Sequence, residues 1–313
     1  ACVVAAALAA PALGDPHGPL GAPWLGNLGI CAIFLSMGVL LKTERLGPQL
    51  REWKLHLLVQ GALFLFFPAA VLALLGWLPP PAVSGLAAGF LYLAALPTTI
   101  STSSVYTMRA GGNLAGAVFN STLSNALAVF IVPAWMTWRL AGESAAQPDL
   151  APVLGRISLL VLLPLALGQA LRPWLGQAAE TRKLALARFN SGIILLLVYR
   201  AFCQSASAGV WSPRVLPTLA ASAALCLALM SAAAATVWLG ASLLRLDRGS
   251  RLAALFCGSQ KSLATGVAMS GALLAAFPAV DPGMTLLPVL VYAALQISLG
   301  GMVAARLGGT HPA

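Results

Sequence analysis

Apolar runs of about twenty residues alternate along the chain with short polar or proline-rich breaks. Runs of that length match the ~30 Å hydrocarbon core of a bilayer when helical. The pattern predicts ten segments: Ala1 to Leu13, Trp24 to Leu41, Leu55 to Trp77, a fourth from Val83 that meets Pro97, Asn113 to Trp138, Val153 to Leu171, Leu184 to Phe202, Leu216 to Leu244, Leu252 to Phe277 and Met284 to Leu307. The first is too short for a full crossing and reads as truncated. Gly14 to Pro19, Pro79 to Pro81 and Asp281 to Gly283 are turn signals. The fold class is therefore an all-α polytopic membrane protein, with one transmembrane domain over residues 1–313.

Five plus five segments have a topological consequence. A five-helix unit that is duplicated, about 1–139 and about 153–307, enters the membrane in opposite senses, giving two inverted repeats. The corresponding fourth and ninth helices share a defect. Pro81 to Arg109 is 28 residues, about 42 Å if helical and too long for one straight crossing, and Pro97 interrupts it. Arg251 to Asp281 is 30 residues, about 45 Å, with Gly258 to Gly266 in its middle. Paired interruptions of this kind point to a transport site.

Composition agrees with the class. The chain is 59% hydrophobic and only 8% charged, against about 25% in soluble domains. No alternating short strands suggest an outer-membrane barrel. The net charge of +10 is not a nucleic-acid signature, because its Lys and Arg sit in short loops. On the ten-helix reading, thirteen basic residues lie on one side and four on the other, which puts both termini in the cytoplasm. Trp24, Trp53, Trp77, Trp138, Trp174 and Trp211 fall near segment ends as interface anchors. All eight Asp and Glu residues lie in loops or at helix ends, so no intramembrane acid dyad or ordinary proton relay exists. Five scattered cysteines have no metal-ligand spacing, and no HExxH, GxSxG or Walker motif occurs. No catalytic set and no cofactor are expected.

The candidate chemistry is polar and sits at membrane depth. Lys261 lies ten residues past Arg251, roughly 15 Å deeper along a helix, where a cation costs about 2.5–3.5 kcal/mol on insertion scales. Ser259, Gln260, Ser262 and Thr265 crowd around it. Either this is a broken helix at a solute site, or Lys261 snorkels or bonds carbonyls in a helix seam. Thr98, Thr99, Ser101, Thr102, Ser103 and Ser104 follow Pro97, and hydroxyls there either satisfy freed carbonyls or coordinate a cation. Asn113, Ser121 and Ser124 share a face of helix five, as do Asn120 and Ser124, as interhelical glue or as ligands. His56 and Gln60 are placed as supporting hydrogen bonders, and Gln296 as either a packing contact or a solute contact.

These residues also carry a family likeness. Leu41 to Arg45 with Lys54 to Gln60, Gly111 to Asn113 with Phe119 to Ser121, and Phe256 to Leu263 together resemble the bile acid:sodium symporter-like superfamily, in particular the solute carrier family ten, member seven type and its bacterial relatives. The resemblance implies a core bundle of helices three to five and eight to ten that moves against a panel of the others. It also implies that the broken helices four and nine cross at the site. By the same likeness, a sodium site would draw on Ser103, Ser104, Ser121 and Gln260. The family's better understood branch has a Glu where Phe256 stands and an Asn where Lys261 stands, so sodium coupling is in question. Lys261 then mimics a bound cation, titrates as the coupling group, or binds a substrate anion.

The resulting expectation is a secondary active transporter of a small organic anion, working by alternating access, with a sodium ion or a proton as candidate coupling ion. Its partners are that anion and the lipid bilayer. The rival reading is a non-transporting membrane regulator linked to calcium or ion homeostasis.

Overall fold

The structure is a computed structural model, and it describes residues 23–40, 49, 51–77, 86–141, 155, 158–207, 215–274, 277 and 280–308. Among the described residues the chain is helical with short connections and no strand. The elements are α1 Pro23–Leu40, α2 Trp53–Trp77, α3 Ala87–Ala95, α4 Ser101–Arg109, α5 Leu114–Ala141, α6 Leu163–Thr181, α7 Lys183–Ser207, α8 Val215–Leu243, α9 Arg248–Ser259, α10 Leu263–Leu274 and α11 Pro282–Gly308. One π turn, Ala62–Phe66, lies inside α2, and a second, Ser158–Leu162, leads into α6. The expected first helix, the turns at Gly14 to Pro19 and Pro79 to Pro81, and the loops holding Lys42 to Arg45 and Glu143 to Asp149 lie outside the described residues.

Six helices, α2, α5, α6, α7, α8 and α11, are long and apolar enough to cross a membrane by length and composition. Large apolar side chains such as Leu57, Leu65, Phe130, Leu159, Leu239 and Leu243 stand exposed on them. Water would penalise such a surface, whereas lipid is its natural solvent.

The chain forms two compact units. The first comprises Ala1–Lys42, Pro133–Leu216 and Ala264–Leu286. In it, Gly38 of α1 and Gly168 of α6 face each other so closely that a Cβ on either would strike the other's backbone. Small residues are what permit two membrane helices to approach this far. Asn190 donates to the Ser36 hydroxyl at 2.7 Å, and Arg172 donates to the Val39 carbonyl at 3.1 Å.

The second unit comprises Thr43–Val132, Pro217–Leu263 and Leu287–Ala313. Its core is apolar: Leu55, Val59 and Leu63 of α2 pack with Ala117 of α5, Val237 and Ala241 of α8, and Ala253, Ala254 and Cys257 of α9. Two tight turns close it on one side. In the turn after α4, Gly112 N–H bonds the Thr107 carbonyl and Gly111 N–H the Met108 carbonyl, with Gly111 at φ +73°. In the turn after α8, Leu246 N–H bonds the Ala241 carbonyl and Arg245 N–H the Ser242 carbonyl, with Arg245 at φ +55°. Both are helix terminations through a left-handed residue, which glycine adopts freely and arginine does not.

The predicted interruptions are present, and their positions are now defined. α3 ends at Ala95, Leu96 turns extended at φ −66° and ψ 147°, and α4 resumes at Ser101. Pro97 explains the local choice, since its ring pushes the preceding residue out of the helical region. α9 ends at Ser259, Gln260 turns extended at φ −103° and ψ 152°, and α10 resumes at Leu263. The second gap is thus narrower than the expected Gly258 to Gly266 span, and both glycines are helical. Gly258 serves packing instead: a Cβ there would lie 2.8 Å from Val237 Cγ2 on α8. The sixth predicted helix also ends later than Leu171, running through Arg172 and Pro173 to Thr181, so Trp174 lies within α6 rather than at its end.

Candidate functional site

The two gaps touch, and both belong to the second unit. Ser262 N–H bonds the Pro97 carbonyl at 2.7 Å, joining the extended segment after α9 to the extended segment after α3. Lys261 sits beside this junction and is only 1% exposed. Its Nζ donates to three backbone carbonyls: Leu96 at 2.8 Å, Ala94 at 2.9 Å and Leu63 at 3.2 Å. The Phe67 ring covers the ammonium, with its centroid 4.0 Å away. Each acceptor comes from a defect. Ala94 and Leu96 are the carbonyls that α3 leaves without helical partners, and Leu63 lies in the π turn of α2.

The backbone of Lys261 is held as completely as its side chain. Gln296 of α11 accepts from Lys261 N–H and donates to the Lys261 carbonyl, both at 2.8 Å. The amide thus replaces both helical bonds that unwinding removes. The Tyr292 hydroxyl donates to the Ser259 carbonyl at 2.6 Å and closes the end of α9. Gln296 is therefore engaged by backbone rather than free for a solute.

A hydroxyl and amide cluster lies next to the first gap. Ser103 Oγ and Ser121 Oγ are 3.0 Å apart, and each also meets a carbonyl one turn back, Thr99 and Ala117 respectively. Cys257 Sγ is 3.8 Å from Ser121 Oγ. Ser124 donates to the Ser121 carbonyl at 3.0 Å, and Asn125 donates to the Thr98 and Ser121 carbonyls at 2.9 and 2.8 Å. Asn120 donates to the Gly116 carbonyl at 2.9 Å and accepts from Gln60 at 3.3 Å, so Gln60 does reach the cluster. Thr102 donates to Gln260 Oε1 at 2.8 Å.

Four buried polar atoms on these segments have no hydrogen-bond partner among the described residues: Thr98 Oγ1, Ser104 Oγ, Gln60 Oε1 and Gln260 Nε2. Such an atom costs about 1–3 kcal/mol unless something else satisfies it. Gln260 Nε2 lies beside Gly300 of α11, where an added Cβ would come within 3.3 Å of it and 2.8 Å of the Tyr106 ring. The helix end facing the gap is also open, since α4 starts after Ile100 with no side-chain cap.

Other expected residues lie elsewhere. Asn113 is not on the face of Ser121. It precedes α5, caps it through Gly116 N–H at 2.8 Å, and bonds both Glu52 carboxylate oxygens at 2.9 and 3.0 Å. Ser250 joins that carboxylate at 3.1 Å, so the starts of α2, α5 and α9 are tied together. Nearby, Asp247 caps α9, and the Ser250 hydroxyl and amide hold its carboxyl below the usual value. His56 is turned away too, at 2.7 Å from the Gln49 carbonyl and stacked 4.2 Å from Phe119. Thr265 is buried on α10, within the first unit. Asn125, Phe67 and Tyr292 are participants that the sequence reading passed over. Asn125, one helical turn past Ser121, was a visible signal, whereas an aromatic in an apolar run was not.

Of the four candidate sodium donors, three are engaged within the protein, while Ser104 Oγ has no partner among the described residues. Ser103 and Ser121 are bonded to each other and to their own helices, and Gln260 is engaged by Thr102. No group of three His, Cys, Asp or Glu residues among the described ones is placed to hold a metal ion. Phe256, where the resembled branch carries Glu, is 2% exposed and packs on Tyr106 with ring centroids 5.8 Å apart.

The SBF-like CPA transporter family matches the chain over residues 1–308. The chain belongs to this family. A Pseudomonas aeruginosa protein of uncharacterized function is 34% identical over 283 residues, covering 90% of this chain and 84% of the relative. YfeH of Escherichia coli, a proposed symporter, is 32% identical over 291 residues, covering 91% and 85%. Sodium/bile acid cotransporter 7 of Xenopus tropicalis is 28% identical over 308 residues, covering 96% and 88%. The chain is thus an integral membrane protein of a transporter family rather than of an enzyme family.

Proposed function

We propose that the chain is a secondary transporter of a small organic anion, working by alternating access around the junction of the two helix gaps. The polarity left open at that junction carries the reading. Lys261 caps the carbonyl, negative end of α3, while the amide, positive end of α4 has no side-chain cap. Among the described residues the buried ammonium bonds only carbonyls, and Gln260 Nε2 is a donor without an acceptor. An anion would complement all three. Lys261 has given its three protons to carbonyls, so it acts on a substrate through its field and not as a direct ligand.

Gln260, Ser104 and Thr98 are the proposed contacts, with Gln60, Asn120, Ser103, Ser121 and Ser124 shaping the wall. Five predicted helices before the Glu143 loop and five after it support an inverted repeat, the basic-residue asymmetry supports cytoplasmic termini, and the bacterial relatives support a bacterial inner membrane.

Uptake of a panel of radiolabelled organic anions into proteoliposomes tests this. Saturable flux of at least one anion, reduced about tenfold or more in Gln260→Ala by loss of a charge-assisted contact, is expected. Absence of flux for every anion, in protein that remains folded, contradicts it.

A further inference from the structure

We propose that Lys261 is a tethered substitute for a bound monovalent cation, and that the cradle around its ammonium is a cation site of ammonium type that this chain fills from within. For transport this rests on the reading above, but the cradle itself does not. Three acceptors at 2.8, 2.9 and 3.2 Å require three protons, which only the charged amine carries. Among the described residues no carboxylate bonds it. The acceptors are backbone carbonyls from two separate defects, the end of α3 and the π turn of α2, with the face of Phe67 over the fourth side. Carbonyls of unwound helix with an aromatic face are how proteins hold a free alkali or alkylammonium ion.

A Lys that merely snorkelled would point to the interface, and this one is 1% exposed. A Lys that bound substrate would keep a proton for it, and this one keeps none. What remains is a cation that holds the two gaps together and is always present. It neutralises the carbonyl ends that a diffusible ion would otherwise have to enter and leave. The cradle is then never empty, and a cation gradient has nothing to act on at this point.

The test removes the tether and supplies the ion, using the purified full chain in detergent. Lys261→Ala opens the cradle, and Lys261→Met keeps a stem in it without charge. Melting is followed against ammonium, methylammonium, potassium and sodium chloride, with choline chloride at equal ionic strength as control. Lys261→Ala is expected to melt well below wild type and to regain about 3 °C or more in 100 mM ammonium or methylammonium. Wild type and Lys261→Met are expected to show no cation effect beyond choline.

A Lys261→Ala protein that responds to no cation, or a wild type that responds equally, overturns the proposal. If Lys261→Ala yields no folded protein, Lys261→Met decides. Melting as high as wild type shows that the charge is not needed and overturns the proposal, and a large loss supports it. Flux is scored separately: wild-type uptake unchanged when choline replaces sodium is expected. Cation rescue in protein that transports nothing would leave the cradle standing and remove the transport reading alone.

Discussion

Gln296 shows how a single side chain can hold an unwound backbone. Its amide meets both the N–H and the carbonyl of Lys261, so Gln296→Leu leaves two buried backbone groups unpaired, an expected loss of about 2–4 kcal/mol. Gln296→Glu keeps the acceptor and removes the donor, and should lose less. Melting of the three proteins checks the order. Asp247 makes a smaller, pH-dependent contribution. Its cap on Ser250 N–H, at 3.1 Å, should be worth about 1 kcal/mol. Its folded-state carboxyl titrates below the unfolded one, so the contribution is present above the ordinary carboxylate pKa of about 4 and is lost as pH falls through the lower, folded value. Asp247→Asn keeps an acceptor without the charge, and its melting curve should converge with wild type under acid. Lys261 was legible in the sequence as a charge in an apolar run. Its partners were not, because they are backbone carbonyls, two at the break before Pro97 and one in a π turn that no residue in Ala62 to Phe66 announces.

At the scale of elements, the gaps follow two different logics. The first is encoded locally: Pro97 removes a donor and displaces Leu96, and a reader of the sequence finds it there. The second is encoded by partners. Gln260 to Ser262 contains no proline or glycine, and the segment is extended because Gln296, Pro97 and the three Lys261 acceptors hold it so. The flanking glycines misled because Gly258 relates to α8, a contact distant in sequence. Gly258→Ala should therefore weaken the α8–α9 seam by about 1–3 kcal/mol through overpacking, without filling the gap. Arg245→Gly has the opposite sign: it relieves a left-handed arginine and should raise stability by about 1 kcal/mol, visible as a higher melting temperature.

For the molecule as a whole, hydropathy was the strongest signal, because lipid demands helices long and apolar enough to cross, and six such helices stand among the described residues. The site was legible only in outline. Prolines, hydroxyls and Gln260 marked its place, but Asn113 shared a periodicity with Ser121 and instead caps the start of α5 and binds Glu52, since capping satisfies amides that a packing seam does not. That every Asp and Glu lies in a loop or at a helix end was readable from the start. Alternating access requires the junction to meet water from each side in turn. The most direct measurement is labelling of Thr98→Cys, in a background with the five native cysteines replaced by alanine, by a membrane-impermeant thiol reagent added outside or inside sealed vesicles. The account predicts labelling from both sides, with a transported anion slowing both; labelling from one side only, or from neither, would contradict it.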